Sequence, residues 1–195
     1  MTRKVFDVLA SGVGLILVVV LLIAGGLLTW GSSYSSDTVH NQLAMQQVYF
    51  PTAAQLAHPN GTEITTPMRQ SLGKYAGQEV LTGAQAQDYA NNFIAVHLSE
   101  MPLGGVYAKV SAASMANPKN AALAAEVQTV FRGTTLRAML LEAYGFSMLG
   151  TVAFWSAIAA FFLAFVLLVA SALGFRHARV TAPEKQLVAQ KVAVV

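Results

Sequence analysis

The chain has 195 residues, 55% of them hydrophobic and 11% charged, with a mean hydropathy of +0.53. That balance is too apolar for an ordinary soluble domain and places the chain among membrane proteins. The pI near 9.3 does not mark a nucleic-acid binder, because residues 31–145 carry six basic and seven acidic side chains while the two ends carry six basic against Asp7 and Glu184.

The first seven residues hold Arg3 and Lys4 and lead into "VLASGVGLILVVVLLIAGGLLTW", residues 8–30. This run exceeds the ~20 residues a helix needs to cross a ~30 Å hydrocarbon core, and a backbone in lipid must satisfy its hydrogen bonds internally. It is therefore expected to be transmembrane helix 1. A cleaved signal peptide is the alternative reading, but the apolar part is longer than the usual ~7–15 residues, and "LLTWGSS" lacks an A-x-A-like site.

Residues 31–145 are expected to form a mostly helical extracytoplasmic domain, cut into pieces by proline and glycine. Asp37 can cap a helix through "TVHNQLAMQQV" that Pro51 ends, and Pro59, Asn60 and Gly61 predict a loop. Thr66–Pro67 starts another helix that Gly77 stops. Over residues 84–98, Ala86, Tyr89, Ala90, Phe93 and His97 recur on one helical face. "VYAKVSAASMA" and then "KNAALAAEVQTVF" follow as helices, the latter with Leu123, Val127 and Phe131 in one stripe. There is no β-alternation. The domain has no cysteine to staple it and is too small to bury a large core unaided.

At "FRGTTLRAMLLEAYGF", residues 131–146, charges gather before 33 residues, 143–175, that hold none. Gly133 is expected to loosen the preceding helix, and Thr134 or Thr135 to cap one that continues into the bilayer as transmembrane helix 2, residues 146–175. Thirty-three residues make a helix about 50 Å long, so its first turns must stand outside a ~30 Å core. Arg132, Arg137 and Glu142 then form a candidate contact surface. Arg137 and Glu142, five residues apart, are about 140° apart around a helix and poorly placed to pair with each other.

Ser156, Ala160 and Ala164 offer a small-residue face for helix packing, and Trp30, Tyr34, Tyr144 and Trp155 suit membrane-interface anchors. Arg176 and Arg179 follow the second run in the tail 176–195, with Lys185 and Lys191 beyond. Both termini are therefore expected to be cytoplasmic; Arg132 and Arg137 argue the other way, but long segments translocate largely regardless of charge. The tail is expected to be poorly ordered.

Chemistry-bearing motifs are absent: no G-x-S-x-G elbow, no G-x-x-x-x-G-K phosphate loop, and no H-E-x-x-H. His58, His97 and Glu100 are the candidates for a two-histidine, one-carboxylate metal site, without the short spacing that would fix one. Neither apolar run contains Asp, Glu, Lys, Arg or His, as an ion path or proton relay would. No cofactor is expected.

The strings "MTRKVFD", "GLLTWG", "VHNQLA", "YANNFIAVHLSEMP", "GGVYAKVSAAS" and "FRGTTLR…LLEAY" together resemble a family of two-span membrane proteins of actinomycetes, mycobacteria included. The resemblance runs from residue 1 to about 175 and implies topology rather than mechanism. Some members carry the label aromatic ring-opening dioxygenase, an activity that in the extradiol enzymes uses a His-His-carboxylate iron site in a soluble fold. No motif here carries that site across. The expected function is that of a non-catalytic accessory or structural subunit of an envelope or respiratory membrane complex, in contact with the bilayer and a second membrane protein. The alternatives are a lipid- or hydrophobe-handling domain and a His/carboxylate metal enzyme.

Overall fold

The computed structural model describes residues 3–57 and 66–180; His58, the turn expected at Pro59–Gly61 and the tail beyond Val180 lie outside them. Among the described residues the secondary structure is helical, with no strand. Helix α1 (Arg3–Gln46) has 44 residues and α7 (Ala121–Val180) has 60. Both are long and apolar enough to cross a membrane, yet their most apolar stretches are only 22% and 17% buried. The core helix of a soluble protein would show the opposite.

Between them lie α2 (Ala53–Ala57), α3 (Thr66–Leu72), α4 (Gly83–Tyr89), α5 (Ala95–Glu100) and α6 (Tyr107–Ala116). A π-helical turn over Ala90–Ile94 joins α4 to α5, so the helix expected at 84–98 is one rod with a wide turn inside it. Thr82 caps that rod: its hydroxyl accepts from the Gln85 N–H, and Gln85 Oε1 accepts from the Thr82 N–H. This reciprocal pair satisfies two of the N–H groups that a helix start leaves orphaned.

Two expected breaks do not occur. Asp37 does not start a helix, because α1 runs through it; Ser35, buried two residues earlier, donates its hydroxyl to the Phe146 carbonyl and ties this stretch of α1 to α7. Gly133 does not loosen α7, which continues through it, and neither Thr134 nor Thr135 caps a helix. A Cβ on Gly133 would come within 2.8 Å of Leu98 Cδ2, so this glycine admits a neighbour instead of bending the chain. In each case packing outweighs the ~1 kcal/mol by which glycine or a polar residue disfavours a helix interior.

The chain divides into two compact units. The first comprises residues 3–32 of α1 and 152–180 of α7. Gly14 faces Ser171, Gly25 faces Phe161, Gly174 faces Ser11, and His177 Nδ1 lies 2.7 Å from Asp7 Oδ2, so the two segments pair antiparallel. Buried positions follow steps of three, four and seven residues: Ser11, Gly14, Val18 and Gly25 on one helix, Ala157, Ala160, Ala164, Ser171 and Ala178 on the other. That spacing holds a seam facing one partner. The seam is small and partly polar; Ile16, Ile23, Leu27, Phe162 and Phe165 point outward, each more than half exposed.

The second unit comprises residues 33–151. Its core gathers Val39 and Leu43 from α1, Phe50, Met68 and Leu72 from α3, Val80, Ala86, Ala90, Ile94, and Leu140 from α7. Burial of each large side chain contributes about 1.5–3 kcal/mol. Gln47 takes a left-handed φ of 51° and ends α1 before Pro51 is reached. The chain then runs beside residues 77–80, with Phe50 N–H to Gln78 O at 2.8 Å and Val80 N–H to Val48 O at 2.8 Å. Val130 is the fully buried residue of the early α7 stripe; Phe131, expected inside, is exposed and meets the Tyr107 ring at 5.9 Å.

Candidate functional site

The three charged residues at the threshold of the long uncharged run have different surroundings. Arg132 is exposed. Glu142 is exposed and lines a recess of about 290 Å³ with Thr38, Gln42, Met139 and Phe146. Arg137 is half-buried, and its Nη2 donates to Asn91 Oδ1 at 2.9 Å across 46 residues of sequence. Arg137 and Glu142 do not pair; the described salt bridges are Lys74–Asp88 and His177–Asp7.

Arg137 lines a second recess, of about 320 Å³, with Ser99, Gly105, Tyr107 and Thr134. The α5–α6 connection builds one wall. Leu103, Gly104 and Gly105 take φ of 57°, 68° and 62° in succession, and a Cβ on Gly105 would lie 2.7 Å from the Leu98 carbonyl carbon. Only glycine lets the loop lie this close to α5. The Arg137 Nε is enclosed by protein and has no hydrogen-bond partner among the described residues. An enclosed donor on a cation, left without an acceptor, is costly and calls for an explanation.

A third recess, of about 360 Å³, is lined by Tyr49, Phe50, Pro51, Thr52, Gln55, Phe93 and His97. Rings meet in sequence beside it, Phe50–Tyr89 edge-to-face at 5.4 Å, then Tyr89–Phe93 at 4.7 Å and Phe93–His97 at 4.4 Å, both tilted. His97 Nδ1 lies 2.9 Å from the Phe93 carbonyl oxygen, so it carries the proton and donates. Burial raises the Tyr89 phenol above its ordinary pKa of 10.0. At the edge of the same unit, a hydrogen bond to Asp88 raises the Lys74 ammonium, with its Nζ 2.9 Å from Asp88 Oδ2.

Of the expected metal ligands, His97 and Glu100 both sit on α5, His97 half-buried in its stack and Glu100 exposed, while His58 lies outside the described residues. Among the described residues no three His, Asp or Glu side chains come close enough to hold an ion. Of the expected packing face, Ala160 and Ala164 are buried but Ser156 is exposed, and Ala157 occupies the seam in its place. Four-residue steps drift about 40° each around a helix, so Ser156, Ala160 and Ala164 do not share one seam. Trp30, Tyr34 and Trp155 are more than half exposed, and Tyr144 is half-buried.

Sequence reasoning missed Asn91 as the partner of Arg137, and also Ser11, Gly14, Ser171 and Gly174 in the seam. The seam residues had a legible signal, small side chains at steps of three, four and seven residues. Asn91 had none, since nothing local ties it to a residue 46 positions away. No family model, curated protein or solved structure matches the chain.

Proposed function

We propose that the chain is a non-catalytic integral protein of the cytoplasmic membrane, a two-helix hairpin whose intervening helical domain, residues 31–145, lies on the extracytoplasmic side and docks on another membrane protein of an envelope or respiratory complex. The carrying observation is the inverted packing of the first unit, small residues within and Ile, Leu and Phe without. In water that arrangement exposes the wrong surface; in lipid the outward side chains are solvated and the small ones let two backbones approach. The arginines and lysines at both ends favour cytoplasmic termini. Docking is supported by exposed Tyr107, Met115, Phe131 and Met139 on the second unit, side chains of the kind enriched at protein interfaces.

Because the chain has no cysteine, single cysteines report topology cleanly. Met115→Cys should react with a membrane-impermeant maleimide in intact cells, and Val180→Cys only after permeabilisation. Release of the chain by alkaline carbonate would overturn insertion, and labelling of Val180→Cys from outside would overturn the orientation. A stoichiometric partner should survive mild-detergent purification; recovery of only monomer or homo-oligomer in several detergents would sink the docking role.

A further inference from the structure

We infer that the recess at Arg137 is an oxyanion site that takes a phosphate group. Arg137 is the one formally charged side chain that lines it, and no carboxylate pairs with this guanidinium among the described residues. Its only described hydrogen bond goes from Nη2 to a neutral amide oxygen, Asn91 Oδ1. Nε is enclosed and unpartnered. A guanidinium with one edge tied down and other N–H groups uncommitted is pre-organised for an anion, because its planar fork matches two oxygens of a phosphate. Thr134, one turn before Arg137 on α7, brings a hydroxyl group to the same recess, and Tyr107 brings a phenol. Each can donate to a tetrahedral oxyanion.

The site also lies close to the expected water–lipid boundary. Arg137 precedes the uncharged run that opens at Ala143 by six residues, about 9 Å of helix rise. The phosphate can therefore come from two sources, a lipid headgroup or a free phosphate in solution. The lipid source rests on the membrane reading above; the free-anion source does not.

The full chain in a phosphate-free maltoside detergent, labelled with ¹⁵N, gives one Nε–H resonance for each of its six arginines. The Arg137 resonance is identified by its loss in Arg137→Gln. It is titrated separately with inorganic phosphate, with phosphatidylglycerol, and with a diacylglycerol that has no phosphate. A saturable shift with inorganic phosphate assigns a free-anion site, and a shift with phosphatidylglycerol alone assigns a headgroup site; both uphold the oxyanion recess. Thr134→Val, which removes a hydroxyl from the recess and keeps the Arg137 resonance, should weaken binding severalfold. Arg132→Gln should bind as the wild type does. No shift in either phosphate arm overturns the inference, as does an equal response to diacylglycerol or an equal loss in Arg132→Gln. Since the wild-type resonance is the primary readout, a variant that fails to fold leaves the test intact. Cysteine topology data unchanged beside a silent resonance would reject this site while leaving membrane insertion standing.

Discussion

Gly105→Ala should destabilise the second unit through two separable effects, and Gly104→Ala isolates one of them. Both glycines hold left-handed φ, 62° and 68°, so alanine at either position carries a conformational penalty of about 1 kcal/mol. At Gly104 nothing lies within 4 Å of an added Cβ. At Gly105 that Cβ would lie 2.7 Å from the Leu98 carbonyl carbon and 3.1 Å from its Cα, and backbone cannot rotate away as a side chain can. Overpacking of this kind adds about 1–3 kcal/mol, bringing Gly105→Ala to about 2–4 kcal/mol. The assay is a buried thiol: Val110, fully buried on α6, becomes the single cysteine of the chain, and its labelling rate reports opening of the unit. With fast reclosing, Gly104→Ala should speed labelling roughly fivefold and Gly105→Ala on the order of 30- to 1000-fold. Equal acceleration by the two would refute the close approach of the loop to Leu98.

The antiparallel pairing of the first unit makes a geometric prediction. A Cβ at Gly14 would lie 3.6 Å from Ser171 Cβ, inside the ~3.5–4.5 Å range of a disulfide, so Gly14→Cys with Ser171→Cys should cross-link on mild oxidation. Adding Gly25→Leu, whose Cβ would meet the Phe161 ring at 2.8 Å, should lower the cross-linking yield severalfold; no cross-link in the parent pair would refute the register. Thr82→Ala removes the reciprocal cap of α4 and should cost about 1 kcal/mol by the same thiol assay, while Thr82→Ser should be nearly neutral. Tyr89 gives a pH dependence. Because its folded pKa is raised above 10.0, the native state keeps a proton that the unfolded chain releases, so stability is unaffected below pH 10 and falls as pH rises above it. Tyr89→Phe should flatten that alkaline loss, as followed by labelling of the buried cysteine between pH 9 and 11.

Much of the fold was legible because helices write a local signature. The two long apolar runs, the rod begun at residue 83 and the helix closed before Asn117–Pro118 all follow from periodicity, length and breakers within one segment. Breaks inside the long helices were misread for a corresponding reason. Asp37 and Gly133 are ordinary stop-and-start signals, but a propensity near 1 kcal/mol yields where distant residues pack, as Phe146 does on Ser35 and Leu98 on Gly133.

The sequence by itself determined that the chain has two membrane-length helices, that no Asp, Glu, Lys, Arg or His lies within their uncharged runs, and that charge collects before the second run. These are properties of composition and one-dimensional spacing. Only the tertiary structure decided which face of each helix is inside. Small residues recur on several faces of α7, and selection of Ala157 over Ser156 depends on the partner helix keeping a seam of three-, four- and seven-residue steps. The same holds for Arg137, whose fixed orientation comes from Asn91 on the π-helical turn and whose recess comes from a left-handed loop after α5. A charge can be read from the chain, but the shape of the space around it is set by residues distant in sequence.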